Sequence, residues 1–345
     1  MELPVGALSR RDFLKLAGYG MLGLWLPDFS RFSPSPTFDS DLQGRVTYNT
    51  LWSYAAPSEG AKRVEMYWRD LVIPLSGAAI SENEEDYNRV WYAVDEKSYV
   101  YSGGVQPVST LLNKPVSEVP PTGLLGEVSV PFTDAHEEPD ANAKVAHRLY
   151  YETVHWITQK VTGADGKSWY QLLDDKYNLH YYTPAEYLRI IPDKELAPLS
   201  PDLPESEKLI EVNLTRQLVL AYEGSRLVYA ARAATGYQYR SGRWTTPIGQ
   251  FLTSYKRPTR HMATGDIASN GFDLPGVPWV LYITKSGISF HGTYWHNDYG
   301  HPHSHGCINL TPQAAKWLYR WTLPSVEPGK QFAYENFGTT VRIFE

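Results

Sequence analysis

The chain has 345 residues, more than one ordinary compact domain holds, so two or three domains are expected. Its 42% hydrophobic content can supply cores and its 20% charged content excludes wholesale disorder. A net charge of −6 gives no electrostatic reason to bind nucleic acid or an anionic membrane surface, and a single cysteine excludes any disulfide within the chain.

In chain order, the first feature is Ser9-Arg10-Arg11-Asp12-Phe13-Leu14-Lys15, followed by an uncharged apolar run from Leu16 to Leu26. A basic segment before a short apolar one is a signal-peptide pattern. The paired arginines resemble a twin-arginine export signal, which implies transport of a folded protein to the cell wall, periplasm or exterior. The competing reading, a basic amphipathic helix that stays inside, needs a polar face that the run lacks. The run is shorter than the ~20 apolar residues of a membrane span. No small-residue cleavage site stands before the Ser/Pro-rich stretch from Ser30 to Pro36, so removal of the signal and retention by it both stay open. No cysteine lies near the N-terminus to be acylated. Residues 1–40 are therefore expected to be signal and linker, with Arg31 to Ser40 as the linker.

Two segments follow, 41–118 and 119–192, with the same order of features. The first has Ile73-Pro74-Leu75 and later Val90-Trp91-Tyr92, and the second has Val130-Pro131-Phe132 and later Ser168-Trp169-Tyr170. The second carries an insertion that includes a strand-like Tyr150 to Gln159. Short aromatic and β-branched runs split by turns suggest small β-barrels, and both segments resemble bacterial SH3-like modules. Wall binding and a spacer packed on the rest of the protein are equally open roles. Residues 193–206, with flanking Pro192 and Glu207, read as a stiff linker and the clearest domain boundary: four prolines fall between Pro192 and Glu207.

Residues 207–345 read as a mostly-β domain with one helix. Ile210, Val212 and Leu214 face one way; Leu218, Leu220 and Tyr222 repeat the alternation, and Leu227, Tyr229 and Ala231 return after a turn at Glu223-Gly224-Ser225, which predicts a β-meander. Val280 to Ile283, Ile288 to Phe290 and Thr340 to Phe344 are further strands. Thr311 is an N-cap candidate with Pro312 at the first helical position, predicting a helix through Trp321.

The chemistry lies between His291 and Cys307, 16 residues apart across a polar loop. A thiol attacks carbonyls as thiolate and needs a base nearby. His291 ends an apolar strand, and the loop can fold back to bring the two together. Gly306 removes a side chain where a carbonyl must approach, and the Cys307 N–H with a neighbour could hold an oxyanion. His291-Gly292-Thr293 and Ser304-His305-Gly306-Cys307-Ile308-Asn309, with Thr246-Pro247-Ile248-Gly249 and Gln217 upstream, resemble the L,D-transpeptidase (YkuD-type) family over residues 207–345. The resemblance implies the family's β-sandwich with a packed helix, Cys307 as nucleophile and His291 as base, with a backbone carbonyl such as that of Gly292 orienting the ring. It implies that Ser304, His305 and Asn309 shape the site and bind the donor, with Tyr294 and Trp295 as pocket candidates. It further implies peptidoglycan acyl transfer: a tetrapeptide donor, release of D-Ala, a side-chain diamine acceptor and a 3→3 cross-link, with carbapenem β-lactams as inhibitors and no cofactor.

Three other readings compete. Water or a D-amino acid as acceptor would make an L,D-carboxypeptidase or an exchange enzyme. A decayed catalytic domain would leave a non-catalytic wall-binding protein, which the intact His, Ser, Gly and Cys set argues against. His296, His301, His303 and His305 beside a thiol invite a metal, but their spacing fits no compact zinc motif, so none is expected there.

Overall fold

The computed structural model describes residues 42–265 and 271–345. The expected signal and the linker from Arg31 to Ser40 lie outside the described residues.

The protein is mostly β. Residues 43–108 form two small sheets around one core that includes Val46, Ile73, Leu75, Val100 and Val105. In the three-stranded sheet, Gln43–Val46 lies between Val72–Pro74 and Val105–Val108. Both of its edge strands carry a proline, Pro74 and Pro107, which has no N–H to offer a further strand. Neither this sheet nor its five-stranded neighbour closes, so the expected barrel is an open pair of sheets.

Residues 124–190 form a seven-stranded sheet that is also open. Trp91 and Trp169 are both buried and sit on corresponding strands: the order Arg63–Trp68, Thr50–Tyr54, Tyr99–Tyr101, Val90–Ala93, then the stretch 72–80, Gln43–Val46 and Val105–Val108 recurs in the seven-stranded sheet, where the single strand Val154–Thr162 replaces the broken 72–80 stretch, so the sequence likeness of the two segments extends to a common strand order. The strand expected from Tyr150 to Gln159 is a corner. One strand, Val145–Tyr150, ends there and the next, Val154–Thr162, begins after a turn in which Glu152 adopts φ 64.

The proline-rich stretch is docked along its length. Glu195 bridges Arg189 (2.6 Å) and Lys316 (2.9 Å), and the carbonyl of Ala197 accepts from Arg320 (2.9 Å). Leu196 and Leu199 pack on the C-terminal core, which also takes in Leu125, Trp156 and Ile191 from the preceding sheet.

From residue 208 two five-stranded sheets and a helix share that core. The strands are β1 (Lys208–Asn213), β2 (Leu218–Glu223), β3 (Arg226–Arg232), β4 (Gly249–Leu252), β5 (Tyr255–Thr264), β6 (Phe272–Tyr282), β7 (Ser289–Gly292), β8 (Ile308–Leu310), β9 (Ala333–Tyr334) and β10 (Thr340–Phe344). The sheets run β3-β2-β1-β10-β4 and β8-β7-β6-β5-β9. Ile210, Val212 and Leu214 are buried as the alternation predicts. In β2 the inward residues are Val219 and Ala221 rather than Leu220 and Tyr222. There the larger side chains stand on the outer face, and volume alone pointed the wrong way.

Helix α1 (Pro312–Trp321) has Thr311 as N-cap, its Oγ1 accepting from Ala314 N at 3.2 Å, and Pro312 in the first turn. Its C-terminal carbonyls are met by two buried lysines. Lys256 Nζ donates to Tyr319 O (2.6 Å) and Thr322 O (2.8 Å), and Lys208 Nζ to Trp321 O (2.8 Å). These are the groups a helix end leaves orphaned. Lys256 is fully buried, and burial pushes its ammonium well below the usual lysine range. Lys256→Ala should destabilise the protein by about 3–5 kcal/mol, through a cavity plus two unpaired buried carbonyls, measured by urea unfolding.

Candidate active site

Strands β7 and β8 run parallel, with Phe290 opposite Ile308 and His291 opposite Asn309. The register places Ser289 beside Cys307, one residue before β8. Residues paired across adjacent strands point to the same face, and alternate residues along a strand share it. Phe290 and Ile308 therefore enter the core, as their complete burial shows. Ser289, His291, Cys307 and Asn309 are left together on the opposite face, with Cys307 and His291 on a diagonal.

The Cys307 sulfur has Ser289 Oγ at 3.7 Å and the Gly287 carbonyl at 3.8 Å. Burial pushes the thiol up, while the Ser289 main chain and hydroxyl pull the other way. His291 Nδ1 lies 3.1 Å from the Gly292 carbonyl. A carbonyl only accepts, so Nδ1 carries the hydrogen and Nε2 is the free base. Burial lowers the imidazole to about 4. Both groups are thus neutral at pH 7 in the resting site; no thiolate–imidazolium pair is formed in advance.

The turn that presents the thiol is fixed by four hydrogen bonds of the Ser304 and Thr246 side chains. Ser304 Oγ donates to Cys307 O (2.5 Å) and accepts from Gly306 N (3.0 Å). Thr246 Oγ1 donates to Gly306 O (2.8 Å) and accepts from Gly236 N (2.8 Å). Gly306 has φ +149, and a Cβ there would meet the Thr245 carbonyl at 3.2 Å, so glycine suits both the backbone and the space. Thr246→Val keeps the shape and removes both of that residue's bonds. It should cost roughly 2–4 kcal/mol in thermal unfolding and slow acylation of Cys307, because two buried backbone groups lose partners.

With this geometry in place, sequence comparison is decisive: residues 207–343 match the model of the YkuD L,D-transpeptidase catalytic domain. The C-terminal region is a YkuD domain. A curated relative, the putative L,D-transpeptidase YciB of Bacillus subtilis (strain 168), is 29% identical over 130 residues, which is 34% of this chain and 63% of the relative. The match thus spans somewhat less than two thirds of that relative's length. Similar solved structures include the catalytic domain of the E. faecium L,D-transpeptidase acylated by ertapenem (24% identity, 40% of this chain and 97% of that one, TM-score 0.30). Another is the L,D-transpeptidase of Mycobacterium smegmatis (19%, 50% and 75%, TM-score 0.33). A third, residues 123–326 of the Xylanimonas cellulosilytica enzyme, has 26% identity over 40% of this chain and 60% of that one, with TM-score 0.27.

The other sequence-selected residues of the YkuD domain fall into three groups. His305 is exposed and borders an open groove of about 510 Å³ with Tyr239, Arg243, Trp244 and Ile248. Trp295 lies beside His291, the two rings 5.6 Å apart. Asn309 and Tyr294 are buried and engaged elsewhere. The Asn309 amide meets His296 Nε2 at 2.9 Å, and His296 Nδ1 accepts from Asp298 N at 3.1 Å. Tyr294 donates its hydroxyl to Pro275 O (3.2 Å), and its ring stacks on Tyr150. Tyr294 therefore belongs to the junction with the N-terminal sheets and does not line an open pocket. Gly292 has no room for a Cβ, which would meet Pro278 and Pro312 within 3 Å.

Sequence reasoning treated residues 296–303 as an ordinary loop. In the structure His296, Asp298 and Tyr299 are buried: the first N-terminal segment covers Asp298, while His296 packs against Asn309 and His303 and Tyr299 donates to Leu310 O. Tyr101 donates to Asp298 Oδ1 (2.6 Å), Asn297 N to Gly103 O (2.9 Å), and Arg45 to the Tyr294 carbonyl (2.5 Å). Ser289 was also missed. Its sole sequence signal is its place two residues before His291 on the same strand. Among the described residues, the histidines of this loop form no metal cluster; the one group with that potential is His147, Asp174 and His261, at the junction with the seven-stranded sheet.

Proposed function

We propose that the protein is an exported peptidoglycan L,D-transpeptidase that forms 3→3 cross-links through a Cys307 thioester. The observation that carries this reading is the placement of Cys307 and His291 on one face of the parallel β7–β8 pair, with the ring's free nitrogen available as base. Attack on the carbonyl of the third stem residue is coupled to transfer of the thiol proton to His291 Nε2. The tetrahedral oxyanion is held by the Cys307 N–H, since the Gly306 N–H is already donated to Ser304. Collapse breaks the amide bond, and His291 returns its proton to the departing D-Ala amine. The side-chain amine of a second stem then attacks the thioester, loses its proton to His291 and expels the Cys307 sulfur, which takes the proton back. The groove beside His305 lies next to the thiol-bearing turn and is the candidate cradle for a stem peptide. Carbapenems would acylate the same sulfur. The paired-arginine segment supports delivery to the compartment where such stems lie.

The test is mass spectrometry of the full chain with disaccharide-tetrapeptide. A 3→3 linked dimer with loss of D-Ala, absent in Cys307→Ala, establishes the reading. Tripeptide without dimer would make the protein an L,D-carboxypeptidase, and incorporation of added D-amino acid an exchange enzyme. No Cys307-dependent product would leave a wall-binding role.

A further inference from the structure

Where the YkuD domain meets the seven-stranded sheet, four ionisable side chains from distant parts of the chain converge. His147 comes from Val145–Tyr150 and Asp174 from the end of Ser168–Asp174, both in the seven-stranded sheet; His261 and Asp273 come from β5 and β6. His261 Nδ1 lies 2.6 Å from Asp174 Oδ2, and its Nε2 contacts Asp273 Oδ1. The side chains of His261 and Asp174 are 3% and 2% exposed, and that of Asp273 is 30% exposed, which opens the cluster to solvent on one side. His147 approaches Asp273 only at 3.7 Å, too far for a hydrogen bond. The cluster therefore gathers two carboxylates and two imidazoles, and one imidazole has no hydrogen-bond partner among the described residues.

The geometry points to a structural zinc site with His147, Asp174 and His261 as ligands and Asp273 orienting His261. One ligand atom from each of the three lies within 4.8 Å of the others. A tetrahedral site with bonds of about 2.0–2.1 Å sets its ligands roughly 3.4 Å apart, so an ion would replace the 2.6 Å contact of His261 with Asp174 by a wider spacing and draw the remaining ligand atoms inward. Two imidazoles and a carboxylate are a donor set suited to zinc. The contact of Asp273 with the second nitrogen of His261 is the arrangement by which a carboxylate fixes the tautomer and orientation of a metal-binding imidazole. Asp174 is held ready: its Oδ1 accepts from Lys176 N (2.8 Å) and Tyr177 N (3.1 Å), which leaves Oδ2 turned to the cluster. A cavity of about 20 Å³, bordered by Asp174, His261, Leu149 and Leu172, gives space for a single small occupant. Because the ligands belong to two sheets, an ion here would tie the YkuD domain to the seven-stranded sheet. It would take no part in the chemistry at Cys307.

The test uses the full chain, stripped with a chelator and titrated with zinc chloride by calorimetry, with metal content measured after dialysis. The expected result is one zinc per chain with a zinc-dependent rise in Tm. Both should persist in Cys307→Ala and disappear in His261→Asn, while Asp273→Asn should bind 10–100-fold more weakly. Cobalt(II) should give the intense visible bands of a tetrahedral site in the same variants that bind zinc. No stoichiometric uptake by the wild-type chain overturns the proposal, as does uptake that Cys307→Ala abolishes. Should His261→Asn fail to fold, unchanged zinc affinity in Asp273→Asn is the overturning result.

Discussion

Cys307→Ala should eliminate acyl transfer, and His291→Ala should lower it by at least about 10⁴-fold, with the double variant no slower than the more damaged single one. Nucleophile and base act on one proton, so their losses do not multiply. Steady-state assays of D-Ala release, with circular dichroism to check folding, measure this. A double variant slower by the product of the two single effects would mean that the groups act independently. The resting state sharpens the expectation. With a buried thiol raised above its usual range and an imidazole lowered to about 4, alkylation of the free enzyme by iodoacetamide should be slow at pH 7 and speed up nearly tenfold per pH unit as the thiolate forms. A substrate or β-lactam that draws the sulfur toward His291 should acylate it at neutral pH. Fast alkylation at pH 6–7 would contradict the neutral pair.

Acid should unfold the protein between pH 6.5 and about 4. Burial lowers His155 to about 3 and His291 to about 4, and holds His296 well below 6.5. Each is neutral in the fold and takes up a proton on unfolding below its ordinary pKa of about 6.5. Their stabilising contribution is complete above that pH and is lost as pH falls toward the folded values. For His291 the loss is on the order of 3 kcal/mol and for His155 on the order of 5, against total stabilities of about 5–15 kcal/mol. Glu152 acts in the opposite direction. Burial raises it to about 8, so its contribution is complete below about 4.5 and is lost as pH rises toward 8. Three histidines against one glutamate still favour acid unfolding. Glu152→Gln should therefore raise Tm at pH 8 and leave it nearly unchanged at pH 4, read by calorimetry across the range. A Tm independent of pH from 7 to 4 would show that these imidazoles are solvated in solution.

The elements and the meeting of His291 and Cys307 on one face were largely legible in the sequence because both rest on local signals. The alternation of Ile210, Val212 and Leu214, the Thr311-Pro312 start of α1 and the Ser-His-Gly-Cys turn each carry their meaning within a few residues. What stayed hidden depends on contacts between distant segments. Nothing near Tyr294 shows that Tyr150 stacks on it, and nothing near Asn309 shows that His296 claims its amide. The loop from 293 to 303 looked solvated because it is polar, yet Asp298 is buried under residues 101–103 and His296 against Asn309. Barrel closure was not legible for a similar reason: Trp-Tyr elements mark buried strands, but whether the outer strands meet depends on the strand order, which no local signal carries.

Tyr101 and Asp298 are 197 residues apart in sequence, and Arg45 and Tyr294 are 249 apart. The loop between His291 and Cys307 is therefore tied to the N-terminal segment by contacts of very large sequence separation, and such non-local contacts slow folding. The chain's single thiol reports on assembly as well as chemistry. In the unfolded chain Cys307 should label as an ordinary surface cysteine; once Ser289 and Gly287 pack around its sulfur, labelling should slow. Time-resolved labelling of one sulfur would then follow the closing of its own site.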